Sequence, residues 1–341
     1  MAEKVTITDV ARVAGVSRQT VSNTLNSPEV VREETRKHVL EVIERLGYRA
    51  NQAARQMRTG RSRLIAIGIE PDGDGISGSW ADRFLHSLTE TAAQEGYRIL
   101  LYTAADDRSE IATYEDLLGA YKPDAFVLTA THHDDTRASW LLERGLPFVA
   151  FGRPWSELPD ARHPWVDVDG AAGTEAATRH LLAAGHRRIG FIGWPPGSGV
   201  GDDRREGWAR ALAAVPEGQP RAGGPGLDGL QRAVEDGIAA GEGAARDLLR
   251  ADPEVTALVC ASDSLALGAL QAREPDRPVA VVGFDDTPAA KAVGLTSVHQ
   301  PLAEAAAACV ELLARILESP DAEPPSAHVL LPPTLTFRQS A

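Results

Sequence analysis

Four polar side chains near the start of the chain have the chemistry and the spacing needed to read base pairs. Arg18, Gln19, Ser22 and Asn23 share the exposed face of a short helix that the sequence predicts directly after Ser17. Arginine can form two hydrogen bonds to guanine in the major groove, and glutamine or asparagine can form two to adenine. A helical hairpin with an ordinary polar surface is the alternative interpretation. The elements around these side chains decide between the two.

The flanking sequence predicts two short helices joined by a tight turn. Thr8 and Ser17 each place a hydroxyl before a helical run, as N-cap residues do, and Gly15 supplies the turn. This is the helix-turn-helix pattern, whose second helix lies in the major groove of DNA. Apolar residues at helical spacing predict a small shared core, made of Val10, Val13, Ala14, Val21 and Leu25. A third helix is predicted over 33–46, and residues 51–58 form two further helical turns that are marginal in isolation.

A second group of polar residues occurs at or after the ends of predicted strands. Asp263 and Asp285 each follow a buried run, and Arg204 opens a helix after a strand-end loop. Ligands of parallel α/β sheets bind outside the carboxyl ends of the strands. Carboxylates and a planar guanidinium suit pairs of neighbouring hydroxyl groups, because each forms two hydrogen bonds. An alternative role for Asp263 is to cap the helix that follows it.

All six tryptophans lie beyond residue 63, and several fall in predicted loops at strand ends. Trp80, Trp155, Trp165 and Trp194 are of this kind, and Arg153 follows another strand. A flat apolar ring with a polar edge suits a sugar ring, although a single tryptophan is more often part of a core. Several together favour a carbohydrate, and their crowding favours a di- or oligosaccharide over a purine.

From residue 64 onward, short apolar runs alternate with amphipathic helices. The runs predicted as strands are 64–69, 98–103, 125–129, 148–151, 188–192, 257–261, 279–283 and 328–331. Such alternation predicts parallel sheets with helices on both faces, and nearly 280 residues of it predict two subdomains. The expected fold class is an all-α helix-turn-helix head with a hinge helix, followed by an α/β core of two parallel-sheet subdomains. The expected domains are a head at 1–50, a hinge and linker at 51–63, an N-terminal subdomain at 64–163 plus 295–320, and a C-terminal subdomain at 164–294 plus 321–341.

The charge of the 341-residue chain is divided unevenly between these parts. Residues 1–63 hold 12 lysines and arginines against 7 acidic residues, whereas the remainder holds 23 against 41. A basic head on an acidic body indicates a nucleic-acid-binding end. The two cysteines are expected to be buried free thiols, and neither a membrane span nor a secretion signal is apparent, so we expect a cytoplasmic protein.

The order of head, short hinge and alternating body resembles the LacI/GalR family of bacterial transcription regulators over almost the whole chain. The resemblance is carried by separate stretches, which include 10–17 with 20–22, 47–55, 166–169, 185–189, 204–208, 261–263, 282–286 and 295–301. It implies a core like a periplasmic binding protein, with three chain crossings between the subdomains and an effector in the cleft. The chain departs from the family at Ala50, where proline is usual, and at Met57, where a leucine usually wedges into the minor groove. Methionine is also apolar and can insert between base pairs; the alternative interpretation is that it forms only the apolar side of a hinge helix.

Together, the residues and the resemblance predict two sets of contacts. The DNA-contacting candidates are Thr6, Ser17, Arg18, Gln19, Thr20, Ser22, Asn23, Asn26, Tyr48, Asn51, Gln52, Ala54, Arg55, Met57 and Arg58. The effector-binding candidates are Trp80, Asp82, Arg153, Trp165, Trp194, Arg204, Asp263, Asp285 and Gln300. We expect a homodimer on a pseudo-palindromic operator, no cofactor, no metal, and a repressor of sugar-utilisation genes that a carbohydrate releases from DNA. No heptad tail follows residue 337, which favours a dimer over a tetramer.

Other functions remain open at this point. A regulator whose ligand, such as a purine, strengthens DNA binding would carry the same motifs. Residues 73–78 match the Gly-x-Gly-x-x-Gly fingerprint of a dinucleotide-dependent dehydrogenase, but three residues separate them from the strand and two aspartates would repel a pyrophosphate. Residues 132–135 could ligate a metal, although no partner at recognisable spacing supports this.

Overall fold

A computed structural model describes residues 5–48, 60–69, 78–155, 163–215, 226–274, 276–319 and 327–341. The chain forms two compact units, Met1–Ser62 and Arg63–Ala341. The predicted hinge at 51–58 and the glycine-rich fingerprint at 73–77 lie outside the described residues. No helix among the described residues is long and apolar enough to cross a membrane.

The first unit contains three helices, α1 (Ile7–Ala14), α2 (Arg18–Asn26) and α3 (Glu33–Leu46). The N-cap of α1 is Thr6 rather than Thr8: the Thr6 hydroxyl accepts from the amide of Asp9, and the Asp9 carboxylate accepts from the amide of Thr6 at 3.0 Å. This reciprocal pair needs an acidic or amide side chain three residues after the cap, and Thr8 has none at that spacing. The predicted cap at Ser17 is confirmed, since its hydroxyl accepts from the Thr20 amide.

The turn between α1 and α2 and the small core beneath it follow the prediction closely. Gly15 ends α1 with a φ of 65°, a left-handed conformation in which glycine has no steric cost. Val10, Ala14 and Val21 are buried, and Leu25 packs against them. Val13 is 37% exposed, because Val10 and Ala14 lie one turn apart on the inward face of α1 and Val13 falls beside that face.

The second unit contains two six-stranded sheets. The first sheet has the order β11-β5-β4-β3-β1-β2, with all strands parallel. Its strands are β1 (Leu64–Ile69), β2 (Arg98–Thr103), β3 (Ala125–Leu128), β4 (Phe148–Phe151), β5 (Trp165–Val168) and β11 (His328–Leu331). Helices α4 (Gly78–Gln94) and α12 (Leu302–Glu318) belong to the core on one face, and α5 (Asp107–Ala120) and α6 (Thr136–Glu143) to the core on the other.

The second sheet has the order β12-β10-β9-β8-β6-β7, and β12 alone among these strands pairs antiparallel with its neighbour. Its strands are β6 (Ile189–Gly193), β7 (Gln231–Ala233), β8 (Ala257–Cys260), β9 (Ala280–Phe284), β10 (Thr296–His299) and β12 (Thr334–Thr336). The helices between them are α7 (Gly170–Ala183), α8 (Gly199–Ala213), α9 (Ile238–Ala251), α10 (Asp263–Gln271) and α11 (Pro288–Ala292). The predicted fold of a helical head and two parallel-sheet subdomains is confirmed.

The chain passes between the two sheets three times, after β5, after β10 and after β11. These crossings differ from the expected subdomain boundaries at three strands: β5 and β11 pair within the first sheet, and β10 pairs within the second. The expected boundaries placed each of these strands in the other subdomain. Strand pairing decides the membership, since β5 lies between β4 and β11 and β10 lies between β9 and β12. Both cysteines are buried free thiols, as predicted.

Two glycines of α9 provide a matched test of helix packing in the second sheet's core. A Cβ added at Gly241 would lie 2.4 Å from the backbone oxygen of Leu265, so α9 and α10 would have to separate. A Cβ at Gly243 would meet nothing within 4 Å. We expect Gly241→Ala to destabilise the protein by about 1–3 kcal/mol, as overpacking does. Gly243→Ala should stabilise it by about 0.5–1 kcal/mol, since alanine favours a helix interior. Urea unfolding of both variants measures the difference, and equal effects would contradict this packing.

Candidate functional site

The exposed face of α2 carries the residues predicted to read DNA. Arg18 and Gln19 are exposed, while Ser22 and Asn23 are half-buried on the same helix. The Gln19 side-chain amide donates to the Asn23 side-chain oxygen at 2.7 Å, so these two amides hold one another in place. Such a pair offers ordered donors and acceptors to base edges.

The other predicted DNA contacts in the described part of the head lie in helix caps, at a helix end or against the head core. The Ser17 and Thr20 hydroxyls lie 2.9 Å apart within the cap of α2, and Thr6 belongs to the cap of α1. Tyr48 packs against the head core, and Asn26 ends α2. The remaining candidates lie outside the described residues; they are Asn51, Gln52, Ala54, Arg55, Met57 and Arg58.

The second unit contains a cavity of about 510 Å³ between the carboxyl ends of the strands of both sheets. We call it the central cleft. Its volume is typical of a small-molecule site. Six of the nine predicted effector residues line it, namely Trp80, Arg153, Trp194, Arg204, Asp285 and Gln300.

Arg204 lies at the base of the central cleft with its guanidinium largely withdrawn from solvent. Its Nη1 donates to the Ala261 carbonyl at 2.6 Å, and the guanidinium stacks on Phe284 at 3.7 Å from the ring centroid. The Nε atom is buried and has no hydrogen-bond partner among the described residues. Burial lowers the pKa of Arg204, and the carboxylate of Asp285, 3.8 Å away, opposes that shift. A buried donor without a partner indicates a place for a ligand acceptor.

Asp285 faces Arg204 from the end of β9 in a left-handed backbone conformation, with a φ of 106°. Gln300 donates to its carboxylate at 2.6 Å, and Arg83 on α4 donates to its backbone oxygen at 3.3 Å. Burial raises the pKa of Asp285 to about 7, against the attraction of Arg204. A strained, buried acid at a strand end is typical of a functional site.

The pKa of Asp285 predicts a pH dependence of stability. Because its pKa is higher in the folded than in the unfolded chain, the folded state holds more protons between about pH 4 and 7. The free energy of unfolding should therefore fall as pH rises through this window. Burial also raises the pKa of Asp263, to about 6, so Asp285→Asn should remove only part of the fall. We expect the variant to lose about 2 kcal/mol less than wild type between pH 5 and 8 in urea unfolding. Parallel pH profiles of the two proteins would contradict the assignment.

Arg153 connects the two sides of the central cleft. Its Nε donates to Asp167 of β5 at 2.7 Å and its Nη2 to Asp203 of α8 at 2.8 Å. Asp203 also accepts from the Ala171 amide at 2.8 Å. Burial raises the pKa of Asp167, and Arg153 opposes that shift. Neither aspartate was predicted from the sequence, although Asp167 is an acid inside a buried strand and Asp203 immediately precedes Arg204.

Three tryptophans give the cleft its aromatic surface. Trp80 lies 6.3 Å from Phe151 between ring centroids, and the ring of Trp194 lies 5.3 Å from the Arg204 guanidinium. Trp194 donates from its indole to Asp236 at 3.2 Å. The indole of Trp155 lies against Gly199, the first residue of α8, so closely that a Cβ there would meet the ring at 2.1 Å.

Three predicted effector residues lie outside the lining of the cleft. Trp165 is buried in the first sheet and stacks on His328 at 4.8 Å, because β5 is an inner strand. Asp82 is exposed on α4 beside His86. Asp263 is fully buried beneath the cleft, where it accepts from the Ser297 hydroxyl at 2.6 Å and the Thr287 amide at 2.7 Å. It does not cap α10 either, since Ser262 fills that role.

A cluster of Asp107, His132 and Asp135 has side-chain ligand atoms within 4.8 Å of one another. The guanidinium of Arg137 occupies the same neighbourhood, donating to Asp135 at 2.7 Å and contacting Asp107 at 3.4 Å. Asp107 also accepts from the amide and hydroxyl of Thr136. The arginine supplies the positive charge that a metal would bring, which favours a structural ion-pair network.

A helical head followed by two parallel sheets around a polar cleft defines a DNA-binding protein with a ligand-binding core. Residues 6–51 match the profile of bacterial regulatory proteins of the lacI family, and residues 178–341 match that of a periplasmic binding protein-like domain. The HTH-type transcriptional regulator CelR of Thermobifida fusca is 32% identical over 314 residues, which cover 87% of each chain.

Solved structures agree with these matches. A complex of the transcriptional regulator CelR with cellobiose has a TM-score of 0.71 and 29% identity, covering 99% of this chain and 100% of that one. A LacI-family regulatory protein from Chloroflexus aggregans has a TM-score of 0.71 and 36% identity, covering 82% of this chain and 98% of that one.

The chain belongs to the LacI family of bacterial regulatory proteins. Like its curated relatives, it is a DNA-binding transcription regulator and not an enzyme. The dehydrogenase alternative raised by residues 73–78 is therefore wrong.

Proposed function

We propose that the protein is a repressor of sugar-utilisation genes that a carbohydrate of at least two units, bound in the central cleft, releases from its operator. The main support for this proposal is that three tryptophans line the same cleft as Arg204 and Asp285. Indole faces suit the apolar faces of sugar rings, and the charged pair suits neighbouring hydroxyls.

The comparison with CelR supports a carbohydrate over a purine. A chain similar to this one over its whole length has been solved with cellobiose, a disaccharide of glucose. The lining of the central cleft includes four aspartates, Asp167, Asp203, Asp236 and Asp285, against two arginines. An acidic lining disfavours anionic ligands such as nucleotides and accepts neutral polyhydroxylated ones.

Operator binding is assigned to the head. Its charge is positive while the remainder of the chain is strongly acidic, so phosphate is attracted to one end of the sequence alone. Two heads of a homodimer would each read half of a pseudo-palindromic operator with Arg18, Gln19, Ser22 and Asn23. Residues 51–58 of the two chains would pair in the central minor groove, with Met57 as the apolar wedge. Such a regulator acts in the cytoplasm.

The cleft contacts provide a route from sugar to DNA. Arg83 and Arg153, both on the first-sheet side, bond to Asp285 and Asp203 on the second-sheet side. A sugar that competes for these groups changes how the two subdomains meet, and the change is transmitted to the hinge. The coupling must be reciprocal, and such couplings are typically about 1–3 kcal/mol per effector.

Tryptophan fluorescence tests the ligand class directly. We expect a disaccharide from a panel of gluco-, galacto- and xylo-configured sugars to shift the emission with saturation, because three indoles line the cleft. Hypoxanthine and guanine serve as the purine comparison. Saturable binding of a purine with no response to any sugar would contradict the proposal.

A further inference from the structure

A second cavity of about 510 Å³ lies beside the central cleft on the first-sheet side. We call it the side cavity. It is lined by α6 and by described residues that follow β3 and β4, and its lining includes Trp140, Glu143 and His163. This cavity has no part in the function proposed above.

The side cavity and the central cleft share a wall. Thr131, His132 and Trp155 line both of them. Trp155 therefore stands at the junction, where its indole lies against Gly199 and the Arg153 guanidinium lies 4.5 Å from its ring centroid. Two adjoining compartments that meet at an indole suit a ligand of repeating flat units.

Two residues that line the side cavity carry buried polar atoms without a partner among the described residues. Trp155 Nε1 and His163 Nδ1 are buried and make no hydrogen bond among the described residues. His163 is 2% exposed, and burial lowers its pKa to about 4, so its ring is neutral at pH 7. An unpaired buried donor or acceptor is costly, and hydroxyl groups of a ligand can both donate and accept.

The charge of the side cavity selects against anions. Its described lining includes Asp134, Asp135 and Glu143 but no lysine or arginine. Arg137, outside that lining, neutralises Asp135. Glu143 is largely exposed and pairs loosely with Arg144, whose nearest nitrogen lies 3.9 Å from its carboxylate. A neutral polyhydroxylated group next to an aromatic ring fits this lining better than a phosphate or a carboxylate does.

We propose that the side cavity binds an additional sugar unit of the effector, so that the preferred effector is a linear oligosaccharide of three or more units. Two units occupy the central cleft and the third passes Trp155 to lie beside Trp140, His163 and Glu143. This inference rests on the proposed function, because it extends the same ligand beyond the same cleft.

Isothermal titration calorimetry of the full-length protein with oligosaccharides of increasing length tests the inference. The probes are β-1,4-linked glucose oligosaccharides of two to five units, with the α-1,4-glucose and β-1,4-xylose series alongside. In the series that binds, we expect the trisaccharide to bind about tenfold or more tightly than the disaccharide, with one site per chain. A trisaccharide that binds no more tightly than the disaccharide would overturn the inference.

A variant that fills the side cavity locates the extra unit. Ser139 is exposed on α6 and lines the side cavity but not the central cleft. Ser139→Trp should remove the trisaccharide's advantage while leaving disaccharide affinity unchanged. Ala112→Trp, at an exposed position of α5 that lines neither cavity, is the matched control and should keep the advantage. Equal behaviour of the two variants would show that the third unit lies elsewhere and would overturn the assignment.

Failure of the proposed function has a different signature. If no sugar of any length binds, the proposed carbohydrate effector is wrong, and the inference about the side cavity is wrong as well. If a disaccharide binds and releases DNA but chain length has no effect, the proposed function stands and only the inference about the side cavity is wrong.

Discussion

Replacing Arg204 by alanine is expected to lower sugar affinity about 100-fold, because a guanidinium that makes two charge-assisted hydrogen bonds to a ligand contributes about 3 kcal/mol. The structure supplies the reason: Arg204 is buried, its Nε has no partner among the described residues, and Asp285 lies 3.8 Å away. Operator affinity should stay within about twofold of wild type, since we assign DNA contacts to the head alone. Titration calorimetry with the sugar and fluorescence anisotropy with operator DNA measure the two quantities separately.

The neighbouring arginine provides the control. Arg205 is 46% exposed in its side chain and pairs loosely with Asp202 at 3.8 Å, so Arg205→Ala should change neither affinity. If Arg204→Ala lost operator binding while circular dichroism showed an intact fold, the division of roles between cleft and head would be wrong.

Replacing Asn23 by alanine is expected to weaken operator binding by about 5- to 150-fold, the range of one good bidentate base contact. The substitution also removes the 2.7 Å hydrogen bond that holds the Gln19 side chain. Base preference at one operator position should therefore relax, while sugar affinity stays unchanged. Anisotropy with operators substituted one base pair at a time measures both the loss and the position.

An exposed acid elsewhere in the head gives the matched comparison. Glu41 lies on the exposed side of α3, and Glu41→Ala should leave base preference as it is. A uniform loss over all operators for Asn23→Ala would indicate a backbone contact instead of base readout. An equal loss of sugar affinity would contradict the assignment to the head.

Helices and strands were predictable from the sequence where apolar spacing and end signals within the element mark them. The third head helix begins and ends at the predicted residues, Glu33 and Leu46, because its apolar period and the following Gly47 mark it. The strands β1, β2 and β4 also lie where short apolar runs predict them. Four of the strands in the described residues were missed, namely β5, β7, β10 and β12. They have only three or four residues each, which carry too little pattern to stand out.

Long-range pairing was not predictable in the same way. Periodicity identified the run at residues 328–331 as a strand, but only hydrogen bonding to β5 places it in the first sheet. The same limit explains the three strands that the expected subdomain boundaries assigned to the wrong sheet. A crossing point is a property of which strands are neighbours, and no local signal encodes it.

The candidate site shows a similar division. Arg204, Asp285 and Gln300 were placed by strand ends and by resemblance, and the structure brings them together. Asp263 has the same sequence context as Asp285, yet it points beneath the cleft to Ser297 and Thr287. The direction of a side chain after a strand end depends on the backbone there, and Asp285 reaches the cleft from a positive φ.

We propose that a sugar in the central cleft releases the protein from its operator. The most direct test is fluorescence anisotropy of the purified protein on a labelled DNA fragment from upstream of its own gene, titrated with mono-, di- and oligosaccharides. We expect one di- or oligosaccharide to lower DNA affinity by about 5- to 150-fold, the range of typical couplings. Tight DNA binding that no sugar disturbs, or that only another metabolite strengthens, would contradict it.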